Sequence, residues 1–400
     1  QAILELSEKS IVPDYDSIES HLSNLNSKID VYDYVEVLSA RNLPDYINQL
    51  KELTYKRELK LISTKLIQES DSKSSDVFDI DSKLNESVST LTNIITRNEV
   101  EDNTTLMRKV VKSIELAKQN KGITGTLTGF ADIDSITGGW QKGNLIILAA
   151  RPAMGKTALA ISQALNAAVD YEKNIVFFSL EMSGEELMKR QFSLASDIPL
   201  SDFSNNNNVD FSELNKRIAP LENTFKMFDK CFNLYDIKAQ CRRENNKKKL
   251  DAIYIDYLQL IKHQVGNGRS KENEVSEISR ELKLLAKELE VPIICLSQLS
   301  RAVETRGGDK IPMLSDLRDS GSIEQDADIV SFLYRPEYYG ILQDEAGEST
   351  EGVALLIIAK NRSGATQPVK LRWLAHLTKF KDWSTTEFTE MQPNQDWLND

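Results

Sequence analysis

Long apolar runs are absent from this sequence of 400 residues, and none approaches the roughly 18 to 20 consecutive apolar residues that span a bilayer. The first residues, Gln1-Ala2-Ile3, are not a basic segment followed by an apolar one, so we expect no membrane-targeting segment. Only three cysteines are present, and their spacing fits neither a metal site nor a disulfide framework. These absences favour a protein of the reducing cytoplasm that does not act at a membrane.

Positive charge and histidine are also scarce. Lysine and arginine number 49 against 61 aspartates and glutamates, a net charge of -12. This balance argues against a protein coated in basic surface, but it allows a localised basic channel. His21, His263 and His376 are scattered without a partner pattern, so we expect no metal or acid–base role for them. A hydrophobic content of 40% suffices for a large core, and the length predicts two domains.

The first quarter of the chain has helical periodicity and no glycine, which predicts an all-helical N-terminal domain over residues 1–99. Residues 100–122 are predicted to be a linker that contains an amphipathic helix, Thr105 to Lys118. This helix could pack on its own domain or dock on a neighbouring subunit, and the sequence leaves both open.

Residues 123–400 differ in texture, because short apolar runs rich in β-branched residues alternate with helical patterns. This alternation predicts an α/β fold with a mostly parallel central sheet covered on both faces. A stripe of apolar residues from Val275 to Leu289 at helical spacing predicts one of the covering helices.

A phosphate-binding loop (P-loop), Ala150 to Thr157, joins a predicted strand at 144–149 to a predicted helix at 156–170. Gly155 allows the backbone to approach a phosphate closely, and the helix N-terminus offers unpaired N–H groups. Lys156 supplies a cation for the β and γ phosphates, and the Thr157 hydroxyl is a ligand for Mg²⁺. The pattern usually begins with glycine, where this chain has Ala150. We therefore predict ATP and Mg²⁺ as cofactors, with Ala153 and Ala158 also lining the nucleotide site.

Polar groups follow four further apolar runs, at the strand ends where open parallel sheets carry their chemistry. Glu181 is expected to orient and deprotonate the attacking water, and Asp256 to hold Mg²⁺ through a water. Gln298 could hydrogen-bond a γ-phosphate. Lys360 and Arg362 follow the last run, and we expect all five side chains at the same sheet edge as the P-loop.

Five motifs together carry a family resemblance. They are Ala150 to Thr157, Ser179 to Met182, Ile255 to Leu260, Leu296 to Arg301, and the most specific one, Asp316 to Asp328. With these motifs the chain resembles the DnaB-type replicative helicases of bacteria and their phages over nearly its whole length. Ala153 departs from the family, in which a serine is often found there.

The resemblance implies a RecA-like P-loop domain preceded by a helical collar and a linker helix. It implies a hexameric ring that encircles single-stranded DNA, moves 5′ to 3′ and binds nucleotide between adjacent subunits. It also implies contacts of the N-terminal domain with primase and a helicase loader, in the cytoplasm of a bacterium or a phage-infected cell. The roles it implies are the catalytic base for Glu181, a nucleotide contact for Arg190, contacts to the DNA backbone for Arg318, Asp319 and Gly321, and contacts to the neighbouring subunit's γ-phosphate for Lys360 and Arg362.

Several alternatives stay open at the level of sequence. Arg362 alone could be a solvated arginine in a turn, and Arg318 alone could form a salt bridge within its loop. The whole chain could instead be a RecA-like recombinase that forms filaments, or a non-hydrolysing loader or scaffold that binds nucleotide only to assemble. The helical N-terminal region and the motif from Asp316 to Asp328 speak against a recombinase, and Glu181 speaks against a scaffold.

Overall fold

A computed structural model describes residues 43–70, 84, 87, 91, 103–119, 122–204, 215–216, 218–262, 271–308, 310–317 and 321–383. The chain divides into two compact units, Gln1–Lys109 and Val110–Asp400, and each is described by itself. The domain limits expected at residues 99 and 122 stay a prediction. None of the helices in these ranges combines the length and the hydropathy that crossing a membrane requires.

Helices α1 (Leu43–Ser70) and α2 (Asn103–Gln119) lie before residue 122 along the chain. Helix α2 contains the predicted amphipathic helix and begins two residues earlier. Its apolar face is exposed: at least half of the surface of each of Met107, Val110, Val111 and Ile114 is open to solvent.

Nine strands of the described residues form a single sheet. They are β1 (Leu145–Ala150), β2 (Ile175–Ser179), β3 (Phe225–Phe228), β4 (Ala252–Asp256), β5 (Ile293–Gln298), β6 (Ile329–Tyr334), β7 (Val353–Asn361), β8 (Pro368–Leu374) and β9 (Lys379–Asp382). Their order across the sheet is β3-β2-β4-β5-β1-β6-β7-β8-β9. The six strands from β3 to β6 are parallel, and β7, β8 and β9 continue the sheet in antiparallel pairings. The mostly parallel sheet is therefore confirmed.

Helices and 3₁₀ turns connect and cover these strands. The helices are α3 (Ala131–Thr137), α4 (Lys156–Val169), α5 (Gly184–Ser196), α6 (Leu200–Ser204), α7 (Leu221–Thr224), α8 (Leu234–Lys247), α9 (Lys271–Leu289), α10 (Ala302–Thr305) and α11 (Gly321–Asp326). The 3₁₀ turns are Leu258–Leu260, Leu314–Asp316, Pro336–Tyr339 and Ala375–Leu377.

The core lies on both faces of the sheet, because every residue of β1 is buried. Successive side chains of a strand point to opposite faces. Leu145 and Ile147 accordingly pack in the cluster that includes α9, whereas Ile146 and Leu148 pack in the cluster that includes α4. The apolar stripe from Val275 to Leu289 is buried, which confirms its predicted packing against the sheet.

The direction of β7 decides where its last residues lie. Because β7 is antiparallel to β6, Asn361 at its end pairs with Ile329 at the start of β6. The carboxyl end of β7 therefore lies at the edge where β1 begins, whereas the P-loop lies at the edge where β1 ends. The expectation that Lys360 and Arg362 share the edge of the P-loop is wrong.

Candidate nucleotide site

The P-loop follows β1 directly, and α4 begins at Lys156. Gly155 has φ +93°, a left-handed conformation that glycine adopts without strain. A β-carbon at this position would lie 3.0 Å from the ring of Phe380 and 3.2 Å from the ring of Trp373. Glycine is therefore required here both by the backbone and by the two rings behind it.

A buried carboxylate and a hydroxyl meet beneath the loop. Asp256, at the end of β4, is 1% exposed, and its Oδ2 accepts a hydrogen bond from Thr157 Oγ1 at 2.6 Å. Its Oδ1 is buried without a hydrogen-bond partner among the described residues and lies 3.6 Å from Lys156 Nζ. A hydroxyl and a carboxylate with a free oxygen are hard ligands of the kind that Mg²⁺ prefers. The two residues thus fit the predicted metal site.

Few protein ligands would hold that ion. The described residues contain no group of three or more His, Cys, Asp or Glu side chains that could bind a metal. In phosphoryl-transfer sites, Mg²⁺ takes one or two protein oxygens, and its remaining ligands are phosphates and waters.

Lys156 is held between a carboxylate and an aromatic ring. Its ammonium lies 4.4 Å from the centre of the Tyr257 ring, and its side chain is 13% exposed. Burial lowers the pKa of Lys156, and the carboxylates of Asp256 and Glu181 partly offset that shift. An anion that binds here would replace the lost hydration of the ammonium. The position therefore suits a phosphate.

Glu181 and Gln298 complete this edge of the sheet. Glu181 follows β2, where the Leu180 amide donates to the Asp256 carbonyl at 2.7 Å. Gln298 ends β5 beside Ala150. Both side chains are exposed, and neither forms a hydrogen bond or an ion pair within the part of the chain that the structure describes. The P-loop, Asp256, Glu181 and Gln298 are thus brought together as expected, with Glu181 available to a water.

Arg190 lies beside the same helix that carries the P-loop lysine. Helix α5 begins in a capping box between Ser183 and Glu186, which fixes its start after Glu181. Arg190 lines a small hollow with Ala158 and Ile161 of α4. Its predicted contact with nucleotide stays a prediction.

Lys360 and Arg362 are bound at the opposite edge. The Arg362 guanidinium pairs with Asp328 at 3.3 Å and donates to the Gln325 carbonyl. The Lys360 ammonium donates to the carbonyls of Ala327, at 2.8 Å, and Glu324. Burial, and then the charge of Arg362, lower the pKa of Lys360. The end of α11 and the two residues that follow it thus bind both cations.

The predicted DNA contacts lie mostly outside the described residues. Arg318 and Asp319 are not among them, and the backbone of Gly321 begins α11. The segment before them is ordered around Asp316, which is 3% exposed and accepts hydrogen bonds from Arg306 and from the Met313 amide.

Sequence reasoning missed the residues that back the P-loop. The Arg335 guanidinium lies 4.4 Å above the ring of Trp373 and donates to the Ala153 carbonyl at 3.4 Å. Trp373 and Phe380 come from β8 and β9, which reach the loop only through the antiparallel extension of the sheet. Burial lowers the pKa of Arg335. Sequence reasoning also assigned no contact to the side chain of Arg151, which lies inside the P-loop and binds Glu304 and the Leu299 carbonyl.

Comparison with known proteins agrees with this geometry. Residues 125–382 match the family described as "DnaB-like helicase C terminal domain". The replicative DNA helicase DnaC of Bacillus subtilis (strain 168) is 37% identical over 394 residues, which cover 95% of this chain and 85% of that protein. The replicative DNA helicase DnaB of Geobacillus stearothermophilus is 45% identical over 276 residues, 67% of this chain and 59% of that protein.

Two solved structures have the same fold. One is a DnaB-like replicative helicase described together with its interactions with primase. It has 32% identity and a TM-score of 0.68, and the match covers 96% of this chain and 90% of that one. The other is described as an ATPase domain, with 36% identity and a TM-score of 0.64, covering 71% of this chain and all of that one. With its P-loop, buried aspartate and free glutamate on one sheet edge, the chain belongs to the DnaB-like family of replicative DNA helicases.

Proposed function

We propose that this protein is a replicative DNA helicase that hydrolyses ATP to move 5′ to 3′ along single-stranded DNA and to separate the duplex at a fork. The observation that carries the proposal is the division of the catalytic groups between the two edges of one sheet. Since replication takes place where the bacterial or phage genome lies, we expect the protein to act in the cytoplasm.

The edge with the P-loop supplies one half of the ATP site. The loop backbone, Gly155 and Lys156 would hold the phosphates, and Thr157 and Asp256 would hold Mg²⁺. The ion supplies positive charge that stabilises the transferring phosphoryl group. Glu181 orients the water and accepts its proton, and Gln298 hydrogen-bonds the γ-phosphate.

The other edge supplies the second half to a neighbouring subunit. Lys360 and Arg362 lie across the sheet from their own P-loop, and head-to-tail contacts that close into a homohexamer bring such opposite surfaces together. An arginine that acts in trans typically contributes about 10³ to 10⁵ in rate, roughly 4 to 7 kcal/mol of barrier. An isolated subunit should therefore be nearly inactive.

The proposed partners are single-stranded DNA, a neighbouring subunit, primase and a helicase loader. Arg318, Asp319 and Gly321 would follow the DNA backbone in the ring channel without reading bases. The exposed apolar face of α2 favours docking on a neighbouring subunit over packing within its own domain. Primase and a helicase loader would contact the N-terminal domain.

Replacing Glu181 with glutamine tests the assignment of the base. Glu181 is exposed, so the variant should fold, bind ATP and assemble, but lose DNA-stimulated hydrolysis. Glu185→Gln is the matched control, because Glu185 is an exposed carboxylate at the start of α5 that pairs only with Lys189 there. Full hydrolysis by Glu181→Gln would refute the assignment of Glu181 as the catalytic base.

Mixed rings test the action in trans. Arg362→Ala and Lys156→Ala subunits are each expected to be inactive, yet a mixture should recover part of the ATPase activity at interfaces that pair an intact P-loop with an intact Arg362. Mixing Lys156→Ala with Glu181→Gln is the control, because both changes damage the same half of the site. No recovery at any ratio of the first mixture would contradict the proposal.

Two measurements separate the motor from its alternatives. Mass measurement with ATP and Mg²⁺ should give a hexamer. Unwinding of a forked substrate with a 5′ tail should depend on ATP hydrolysis. Strand exchange without unwinding would favour a recombinase, and nucleotide-dependent assembly without hydrolysis would favour a loader or scaffold.

A further inference from the structure

Arg151 belongs to the P-loop, but its side chain binds the segment that follows β5. Its Nε donates to Glu304 Oε1 at 2.9 Å, its Nη2 lies 2.8 Å from the same oxygen, and its Nη1 donates to the Leu299 carbonyl at 2.8 Å. The Arg151 side chain is 7% exposed and that of Glu304 is 42% exposed. The guanidinium is thus bound firmly, and every hydrogen bond it forms in the described structure is with this segment.

The backbone joins the same two parts. The Leu299 amide donates to the Ala150 carbonyl at 3.1 Å, one residue before Arg151. Pro152 follows Arg151, and the proline ring fixes the φ angle of residue 152. This restraint limits how far the loop can move independently of the Arg151 guanidinium. A shift of the P-loop on nucleotide binding would therefore pull on α10, which contains Glu304.

A second ion pair carries the connection towards the predicted DNA contacts. Arg306, two residues after Glu304, donates to the carboxylate of Asp316 and to the Ile311 carbonyl at 3.1 Å. The Ser300 amide donates to the Asp316 carbonyl at 3.0 Å. Residues 300–308 and 310–316 are thus joined by contacts with each other and should move together. They end two residues before Arg318 along the chain.

We propose that the ion pair between Arg151 and Glu304 couples the nucleotide site to the predicted DNA contacts that begin at Arg318. DNA binding would then accelerate ATP hydrolysis through this ion pair. Both side chains are positioning residues, since neither would touch the reacting atoms. The inference rests on the proposed function. Coupling between two sites is reciprocal. If bound DNA raises the affinity for a nucleotide by some factor, that nucleotide must raise the affinity for DNA by the same factor.

Glu304→Gln removes the carboxylate charge and keeps the side-chain length. Because Glu304 is partly exposed, the fold should tolerate the change. We expect hydrolysis without DNA and nucleotide affinity to stay within about twofold of wild type, while the increase in DNA affinity caused by a non-hydrolysable ATP analogue falls by about fivefold or more, as typical coupling energies imply. Stimulation of hydrolysis by single-stranded DNA should fall as well.

A double-mutant cycle separates coupling from simple loss of stability. Arg151→Gln and the double variant with Glu304→Gln should lose DNA stimulation equally, since either change breaks the same contact. Arg151→Lys keeps one charged contact and should retain part of the stimulation. If the losses from the two single changes multiply in the double variant, the residues act independently and the proposal is wrong.

The ion pair of Arg242 and Glu288 is the matched control, because it joins α8 to α9 with hydrogen bonds of 2.7 and 2.8 Å. Glu288→Gln should leave DNA stimulation unchanged, and an equal loss there would overturn the proposal. If the wild-type protein unwinds DNA and Glu304→Gln keeps the full stimulation of its hydrolysis by DNA, only this inference is overturned. A wild-type protein whose ATPase ignores DNA would overturn the proposed function as well.

Discussion

Replacing Asp328 with asparagine would remove the carboxylate that joins three other parts of the chain at the edge where β1 begins. Asp328 is 6% exposed. Its Oδ2 accepts from the Leu145 amide at 2.8 Å and from the ammonium of Lys283 on α9. Its Oδ1 pairs with the Arg362 guanidinium at 3.3 Å. One side chain thus ties the start of β6 to β1, α9 and the residue after β7.

The expected loss of stability follows from these partners. Removing one member of a buried ion pair costs about 3 to 5 kcal/mol. Asparagine keeps one acceptor oxygen, and the Lys283 ammonium keeps the Gly143 carbonyl at 2.7 Å. These contacts reduce the penalty, so we expect the free energy of unfolding to fall by about 2 to 3 kcal/mol.

Urea unfolding followed by tryptophan fluorescence measures this loss. All four tryptophans lie after residue 139, so their emission reports on the ATPase domain and not on the N-terminal region. Protein and nucleotide concentrations must be held equal, because assembly and ligands add stability. The midpoint should fall at an unchanged slope with urea.

Glu348→Gln is the control for Asp328→Asn. Glu348 is 70% exposed and lies 3.9 Å from the Lys370 ammonium, so its loss should change stability by less than about 0.5 kcal/mol. If the midpoint of Asp328→Asn equals that of the control, the buried network contributes nothing and our reading of this edge is refuted.

Three further predictions concern the loop, the thiols and pH. Gly155→Ala should weaken nucleotide binding about tenfold or more, because strain at such a backbone position is worth about 1 to 3 kcal/mol; wild-type affinity in a fluorescent-nucleotide titration would contradict this. At pH 8 a thiol reagent should modify only Cys231 in the folded chain and all three cysteines in denaturant, because burial excludes the reagent from the other two and raises their pKa. The hydrogen bond from Arg242 lowers the pKa of Glu288, so the stability this carboxylate adds is present above the unfolded pKa of about 4.3 and is lost as pH falls through the lower folded value. Glu288→Gln should therefore be less stable by up to about 1 kcal/mol at pH 7, with the difference disappearing near pH 3; an equal difference at both pH values in urea unfolding would be inconsistent with it.

Local patterns predicted the first half of the site because each part is encoded by neighbours in sequence. The apolar run before the P-loop predicted β1 to within one residue, and Asp256 ends β4 and Glu181 follows β2 at the same edge. Residues that end parallel strands need only the strand assignment to be placed. Their proximity could therefore be predicted without a structure.

The direction of β7 could not be predicted in the same way. An apolar run looks alike in a parallel and an antiparallel strand, and nothing near Lys360 marks the reversal. The connection that lets β7 turn back, residues 335–352, has little regular structure apart from one 3₁₀ turn. The resemblance to the family implied a contact of Arg362 with the neighbouring subunit's γ-phosphate, which stays a prediction, whereas the strand pattern placed Arg362 at the wrong edge.

The rings behind the P-loop had no sequence signal either. Trp373 and Phe380 lie far along the chain from Gly155, and their contact depends on three antiparallel strands having the right order. Apolar residues in short strands are ordinary core residues in most proteins. Only the tertiary structure distinguishes these two.

The position of β9 sets a limit on how far the ATPase domain can be shortened. The carboxylate of Asp382, the last residue of β9, accepts a hydrogen bond from the Ala131 amide at 3.1 Å. This contact joins β9 to α3, the helix that precedes β1. A fragment cut before β9 would lose the Phe380 ring that packs behind Gly155 and would leave the phosphate loop without its support. The family match ends at the same residue, 382. A minimal ATPase fragment of this protein should therefore begin before Ala131 and extend through Asp382.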